Sequence, residues 1–167
     1  MRIALRLLSL SALAAASVSV SGCGFTPLYA QQGLTGKLSQ IAVETSQTRT
    51  GYFLGQELKN GLGQTNDRPL YLLKVGLKEN HYQVGYRVDD TATRSELTDN
   101  VTYVLKDAAT NKILLQKTFT ETVTYNVSSS PFTGIVSQQD AEERLAASAA
   151  RKIQTAVALY FHDPKAQ

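Results

Sequence analysis

Alternation of apolar with polar or small residues recurs along the chain between residues 71 and 125, and an alanine-rich segment with helical spacing follows it. Such alternation is typical of strands with one buried face, whereas a repeat of three to four residues indicates an amphipathic helix. The alternating positions are Tyr71, Leu73, Val75, Leu77, then Tyr82, Val84, Tyr86, Val88, then Leu97, Val101, Tyr103, Leu105, and finally Ile113, Leu115, Phe119, Val123 and Tyr125. The chain must therefore pack a sheet against helices.

The first of these strands changes register after Leu77, because the apolar positions are odd before it and even from Tyr82 onward. A one-residue slip moves every side chain to the other face, so we predict a turn or bulge near residues 78–81 within one long bent strand. The segment DAATNK, residues 107–112, predicts a compact hairpin connection between the last two strands.

A shorter strand and a helix precede this region. Residues 38–45 alternate around Ile41 and Val43, which predicts a strand. The next apolar residues recur at helical spacing after a Thr50-Gly51 start, and Gly61 and Gly63 are suited to end a helix. The helical positions are Phe53, Leu54, Leu58 and Leu62.

The last helix is predicted to begin at a capping box formed by Ser137 and Asp140, after a loop with the sequence NVSSSPFTGIV. Its apolar positions are Leu145, Ala149, Ile153, Ala156 and Tyr160. The order strand-helix-strand-strand-strand-helix predicts an α+β two-layer sandwich, with about four mainly antiparallel strands and two helices on one face.

The other face of the sheet is then in water or bound to a partner. On the last strand this face carries a polar series of one glutamine and four β-branched threonines, and the threonines support strand geometry and leave hydroxyls outward. The series is Gln116, Thr118, Thr120, Thr122 and Thr124. A solvated sheet face and contact with a hydrated partner surface are both open interpretations.

The N-terminal segment resembles a bacterial export signal. Arg2 and Arg6 are followed by an uncharged, mostly apolar stretch that is shorter than the length a transmembrane helix needs. It ends in Val20-Ser21-Gly22-Cys23, which matches a lipobox and contains the sole cysteine of the chain. We therefore predict cleavage after residue 22 and lipid attachment at Cys23. The alternative is an unmodified thiol, a reactive liability in an oxidising compartment.

Removal of residues 1–22 leaves 145 of the 167 residues, enough for one domain with a single core. We predict a lipidated tether at 23–37, the α+β domain at 38–162 and a tail at 163–167. The signal carries two of the 17 basic residues and none of the 14 acidic ones, so the mature net charge is +1. The charges are scattered, and a nucleic-acid partner is not expected.

Catalytic and cofactor motifs are lacking. His81 and His162 have no second histidine or cysteine at metal-ligand spacing, so we expect no metal, and there is no nucleophile elbow, dinucleotide motif or P-loop. We expect no cofactor and no enzymatic activity. A lipidated envelope enzyme stays open as an alternative, which a pocket with converging His, Asp or Glu side chains would favour.

Two segments carry a family resemblance: CGFTPLY at the lipidated cysteine and DAEERLAASAARKIQTAVALYF at the end of the domain. With the element order, they resemble the lipopolysaccharide-assembly lipoprotein family LptE, particularly its alphaproteobacterial members. The resemblance implies an outer-membrane lipoprotein that forms a complex with the LptD β-barrel. It implies that the protein assists assembly of the barrel, plugs its lumen and aids lipopolysaccharide transport.

The resemblance further implies lipopolysaccharide binding through basic residues, for which Arg87, Arg94 and Lys112 are the candidates here; ordinary solvated charge is the alternative for each. Gly24 follows the lipidated cysteine where inner-membrane lipoproteins of Gram-negative bacteria usually carry aspartate, so this general sorting rule predicts the outer membrane. A second hypothesis is an auxiliary lipoprotein of an envelope lipid ABC transporter. The protein that co-purifies, a large barrel or a transporter component, discriminates the two.

Overall fold

The computed structural model describes residues 33–63, 68–86, 92–128 and 130–162. Its elements in chain order are α1 (Leu34–Leu38), β1 (Ile41–Thr45), α2 (Arg49–Leu62), β2 (Tyr71–Tyr86), β3 (Ala92–Asp107), β4 (Ile113–Asn126) and α3 (Pro131–His162). The four strands form one sheet in the order β1-β2-β3-β4. The predicted α+β fold is confirmed.

The sheet is mixed. β1 pairs in parallel with β2, since α2 carries the chain back to the end where β1 began. β2 and β3 are antiparallel, as are β3 and β4. The hairpin between β3 and β4 is stabilised by Asp107, whose carboxylate accepts hydrogen bonds from the backbone N–H of Ala109 at 3.0 Å and of Thr110 at 2.8 Å.

The core lies on one face of the sheet. Odd-numbered residues of β2 and β3 face the long helices, and the buried ones include Leu73, Val75, Val101, Tyr103 and Leu105. From α2 the core receives Leu54, Leu58 and Leu62, and from α3 it receives Ala149, Ile153 and Val157. The alanines allow α3 to lie close to the sheet, as the sequence predicts.

The register shift in β2 does not lie where the sequence predicts it. β2 pairs regularly with β3 through Gln83, and the irregularity falls between Gln83 and Tyr86, around Gly85. The prediction of a turn or bulge at residues 78–81 is therefore wrong, although one long strand is correct. The apparent shift arises because Glu79 and His81 occupy the helix-facing positions, while Tyr82 is 53% exposed on the opposite side.

Helix α2 begins at Arg49, one residue before the predicted Thr50 start, and Thr48 is its N-cap. The Thr48 hydroxyl accepts a hydrogen bond from the backbone N–H of Gly51 at 3.0 Å, an N-cap arrangement. Gly63 ends the helix with φ of 66°, as predicted, whereas Gly61 lies inside it. Gly51 is required for packing, because a Cβ atom at this position would collide with the backbone oxygen of Ser46.

Helix α3 begins at Pro131, so the prediction of a loop up to a capping box at Ser137 is wrong. Proline is favoured in the first turn of a helix, where its missing N–H would be unpaired in any case. The apolar pattern does not predict the first two turns of α3, because their large apolar residues are exposed and not buried. Phe132 is 77% exposed and Ile135 is 57% exposed.

Helix α1 is a third helix, which the sequence analysis does not predict. Its residues lie in the predicted tether and at the predicted start of the domain. Leu34 and Leu38 are buried in the same core as the sheet, so the packed structure begins before residue 38. Lys37 lies over the Phe161 ring at 5.7 Å, which places α1 beside the C-terminal end of α3. Across the described ranges, no helix combines the length and apolar character needed to span a membrane.

Candidate functional site

The sheet face opposite the helices is uncovered in the described part of the chain. We call it the open face. It consists of even-numbered residues of β2, β3 and β4, chiefly Lys74, Lys78, Asn80, Glu96, Thr98, Asn100, Thr102, Gln116, Thr118, Thr120, Thr122 and Thr124. The predicted threonine series lies on it, and all five of its β4 members are exposed.

Cross-strand hydrogen bonds organise the open face between β3 and β4. The hydroxyls of Thr98 and Thr122 are 3.0 Å apart, and Thr120 donates to the Asn100 side-chain oxygen at 3.0 Å. The Thr102 hydroxyl makes a further contact with Thr118 at 3.1 Å. Each hydroxyl keeps bonding capacity for water or a partner, since it has one donor and two acceptor lone pairs. The face is thus ordered but hydrophilic.

Arg94 lies at the end of the open face where β3 begins. Its register partner is Asn126, and its guanidinium donates to the Thr124 hydroxyl at 3.1 Å. Of the two predicted basic residues that the structure describes, Arg94 and Lys112, only Arg94 contacts the threonine series.

Arg144, on α3, converges on the same place, and the sequence interpretation did not single it out. Its guanidinium donates to the Thr124 backbone oxygen at 3.4 Å and pairs with Asp140 at 2.8 Å. The two arginines contribute to a depression of about 350 Å³. Its other lining residues are Thr124, Tyr125, Asn126, Ser137 and Asp140. We call this depression the arginine site; an anion there would meet two guanidinium groups and one carboxylate.

Lys112 does not belong to the arginine site. It follows the hairpin at the far end of β3, which lies about 40 Å from Arg94 at the rise of an extended strand. Backbone and side-chain hydrogen bonds from Thr110 hold the pKa of Asp107 below its usual range, and the charge of Lys112 acts in the same direction. Arg87 and Cys23 lie outside the described residues.

A second depression, of about 590 Å³, lies between α3 and the edge strand β4. Leu115, Ala156, Leu159 and Tyr160 give it apolar walls, and its cations are Lys117, Arg151 and Lys152. Lys152 is engaged inside the protein, because its ammonium group lies 2.5 Å from a Glu121 oxygen and 5.5 Å from the centre of the Phe119 ring. We find no group of three potential metal ligands within the described segments.

Comparison with known proteins identifies the family. Residues 38–157 match the LptE family, described as lipopolysaccharide-assembly. The chain belongs to the LptE family. The match covers most of the chain and spans the sheet and both long helices, so the predicted resemblance is confirmed.

Three proteins are similar to this LptE-family chain, two of them in fold. A Caulobacter crescentus crystal structure, titled as that of a lipoprotein, is 34% identical with a TM-score of 0.67, covering 78% of this chain and 96% of that one. An uncharacterised Rickettsia prowazekii protein, RP188, is 27% identical over 85% of this chain and 90% of its own length. Rare lipoprotein B from Shewanella oneidensis shares the fold, with a TM-score of 0.53 at 10% identity over 71% of this chain and 92% of that one.

Family membership makes this chain a bacterial-envelope lipoprotein of lipopolysaccharide assembly. In the described segments, the LptE fold leaves two polar features uncovered: the open face and the arginine site at one end of it.

Proposed function

We propose that this LptE-family chain is an outer-membrane lipoprotein that forms a complex with the LptD β-barrel. In this proposal it assists assembly of the barrel, occupies its lumen and aids the passage of lipopolysaccharide to the cell surface, without making or breaking a covalent bond. The observation that carries the proposal is the family match over residues 38–157.

The open face supports the location in a barrel. Lumen-facing residues of a membrane barrel are polar, whereas its lipid-facing residues are apolar. A protein surface inside the lumen therefore meets hydrated polar groups, and exposed hydroxyls such as those of Thr118, Thr120 and Thr122 match them. The hydrogen bonds between β3 and β4 fix these side chains, which lowers the conformational entropy lost on binding.

The arginine site supports contact with lipopolysaccharide. Lipid A carries phosphate groups, which guanidinium binds through paired, charge-assisted hydrogen bonds. Arg94 and Arg144 each donate one hydrogen bond to Thr124, and Arg144 donates another to Asp140. Each guanidinium has five donors, so both keep donors for a phosphate. Lys112 stays a proposal of lower priority, because it lies at the other end of the sheet. Arg87 also stays a proposal and lies outside the described residues.

The predicted lipid anchor at Cys23 supports the proposed membrane location. Three acyl chains at Cys23 would hold the protein stably at a membrane, since each buried CH₂ group contributes about 0.8 kcal/mol. Gly24 in the position after the anchor favours outer-membrane sorting over retention in the inner membrane.

Depletion of the protein tests this function. We expect less correctly assembled LptD and less surface lipopolysaccharide, measured by heat-modifiable barrel mobility and by surface labelling. Restoring the wild-type gene from a plasmid is the control for secondary effects. If barrel assembly and surface lipopolysaccharide stay unchanged while an envelope lipid transporter loses activity, the barrel proposal is wrong and the transporter-auxiliary hypothesis replaces it.

A further inference from the structure

Three carboxylates lie side by side across the helix-facing side of the sheet. Glu79 on β2 is the register partner of Asp99 on β3, and Asp99 is the register partner of Glu121 on β4. We call these three residues the carboxylate row. It lies on the side of the sheet that faces the helices, where most of the buried side chains are apolar.

The two outer members of the row have partners. Glu79 accepts a hydrogen bond from the Thr50 hydroxyl at 2.7 Å, and its other oxygen lies 2.8 Å from the His81 ring. Glu121 accepts from Ser148 at 2.7 Å and pairs with Lys152 at 2.5 Å. Helix residues thus bond both ends of the row.

Asp99, in the middle, differs from both. Its side chain is fully buried, and neither carboxylate oxygen has a hydrogen-bond partner among the described residues. An ionised carboxylate in such a place loses its hydration without compensation, which is strongly unfavourable. A protonated carboxyl group avoids this cost and can donate a hydrogen bond to a neighbouring carboxylate.

The charges around Asp99 also favour the protonated form. The adjacent strands present Glu79 and Glu121, which repel a negative charge, and His81, which attracts one when protonated. Two cations on the helices form ion pairs with other carboxylates. Arg49 of α2 pairs with Glu142 at 3.9 Å, and Lys152 of α3 pairs with Glu121. Burial and then the charge of Glu79 raise the pKa of Asp99 to about 6, and His81 opposes this in part.

We propose that Asp99 binds and releases a proton in the folded protein, and that the carboxylate row is a pH-sensitive switch between the sheet and helices α2 and α3. When protonated, Asp99 donates a hydrogen bond within the row and the layers pack tightly. When ionised, it repels both neighbours and loosens the contact of the two helices with the middle of the sheet.

The direction of the pH effect follows from proton linkage. The folded protein holds the Asp99 proton at a pH where the unfolded chain, with an ordinary pKa of 3.8, has released it. Stability from this group therefore grows as pH falls through about 6 toward 4, and is lost as pH rises through 6. This is opposite to the usual behaviour of a salt-bridged aspartate.

Urea unfolding as a function of pH tests the switch on the full mature lipoprotein in mild detergent, with Asp99→Asn as the test variant. Glu96→Gln is the matched control, because Glu96 lies on the same strand but on the open face. Relative to Asp99→Asn, the wild-type unfolding constant should fall about 25-fold between about pH 7.5 and about pH 4.5. The Glu96→Gln protein should keep the wild-type pH dependence. An Asp99→Asn protein that also keeps it overturns the proposal.

Two measurements on the wild-type protein decide the matter even if Asp99→Asn does not fold. Carboxyl-carbon NMR should give an Asp99 titration midpoint near pH 6, and a midpoint at or below about 4 overturns the proposal. Amide hydrogen exchange in α2 and in the middle of α3 should slow below pH 6 beyond the intrinsic effect of pH. Equal protection of these helices on both sides of pH 6 also overturns it.

Discussion

The guanidinium groups of Arg94 and Arg144 converge on a single residue, Thr124, one at its hydroxyl and the other at its backbone oxygen. Arg94 comes from the start of β3 and Arg144 from the long helix on the other side of β4. Their meeting at the edge of the sheet gives the chain a two-arginine depression that neither element forms alone.

Substitution of Arg144 with Gln should weaken lipopolysaccharide binding roughly 10- to 100-fold, because one charge-assisted hydrogen bond contributes about 1.5–3 kcal/mol. Charge reversal, Arg94→Glu, should weaken it further and leave the complex with the barrel largely intact, since a large interface tolerates one altered rim charge. Arg151→Gln is the matched control, because Arg151 lies on the same helix as Arg144 but does not line the arginine site. Binding to immobilised lipopolysaccharide at fixed ionic strength measures all three, and equal affinities for Arg144→Gln and wild type would remove the arginine site from the account.

Ile153 should be a major contributor to stability, since it is fully buried between α3 and the sheet. Replacing it with Ala should lower the free energy of unfolding by roughly 2–5 kcal/mol. Leu159→Ala is the matched control on the same helix, because Leu159 is 52% exposed and should change stability far less. Urea unfolding monitored by circular dichroism compares them; similar losses in the two variants would contradict the assigned helix face.

Gly51→Ala should destabilise the protein by roughly 1–3 kcal/mol, because the new methyl group must displace the Ser46 backbone oxygen at the start of α2. Gly36→Ala, in α1, is the control. A Cβ atom at Gly36 meets no described atom within 4 Å, so this variant should be neutral or slightly stabilising. Thermal unfolding of the two variants tests the close approach, which a fully tolerated Gly51→Ala would refute.

The apolar alternation was sufficient to predict the four strands and the sheet-on-helix layers, because burial on one face imposes a period of two. It failed where inward positions are polar. Glu79 and His81 occupy inward positions of β2 and so imitate a change of register. Glu79 accepts a hydrogen bond from the Thr50 hydroxyl, and its other oxygen contacts the His81 ring. Hydrogen bonds in the folded state stabilise these polar residues at inward positions. The spacing of apolar residues in the sequence carries no information about such hydrogen bonds.

One of the two arginines of the arginine site is a candidate from the sequence. Arg94 is such a candidate because the family resemblance implies basic contacts with lipopolysaccharide. Arg144 is not, because its i,i+4 pairing with Asp140 is typical of an ordinary helix surface. Only the return of α3 along β4 brings Arg144 to Thr124. A cue for the early start of that helix was available in Pro131, a residue suited to a first helical turn.

Replacement of Cys23 with Ser should abolish lipid attachment and leave an uncleaved or soluble species. Mass spectrometry of the wild-type protein should find a triacylated Cys23 as the mature N-terminus. The Cys23→Ser protein should still show a cooperative thermal transition, because the described core begins at Leu34 and does not need the anchor. A wild-type mature N-terminus at any other residue would refute the lipobox prediction.

Site-specific photo-crosslinking from Thr120, in the middle of the open face, tests the central claim most directly. The crosslinking amino acid is placed at this exposed position in the full lipidated protein, irradiated in intact cells and compared with an unirradiated sample. The account predicts one dominant product with the mass of this chain plus LptD, identified by peptide sequencing. A product with a transporter component instead, or no product from a correctly anchored protein, would contradict it.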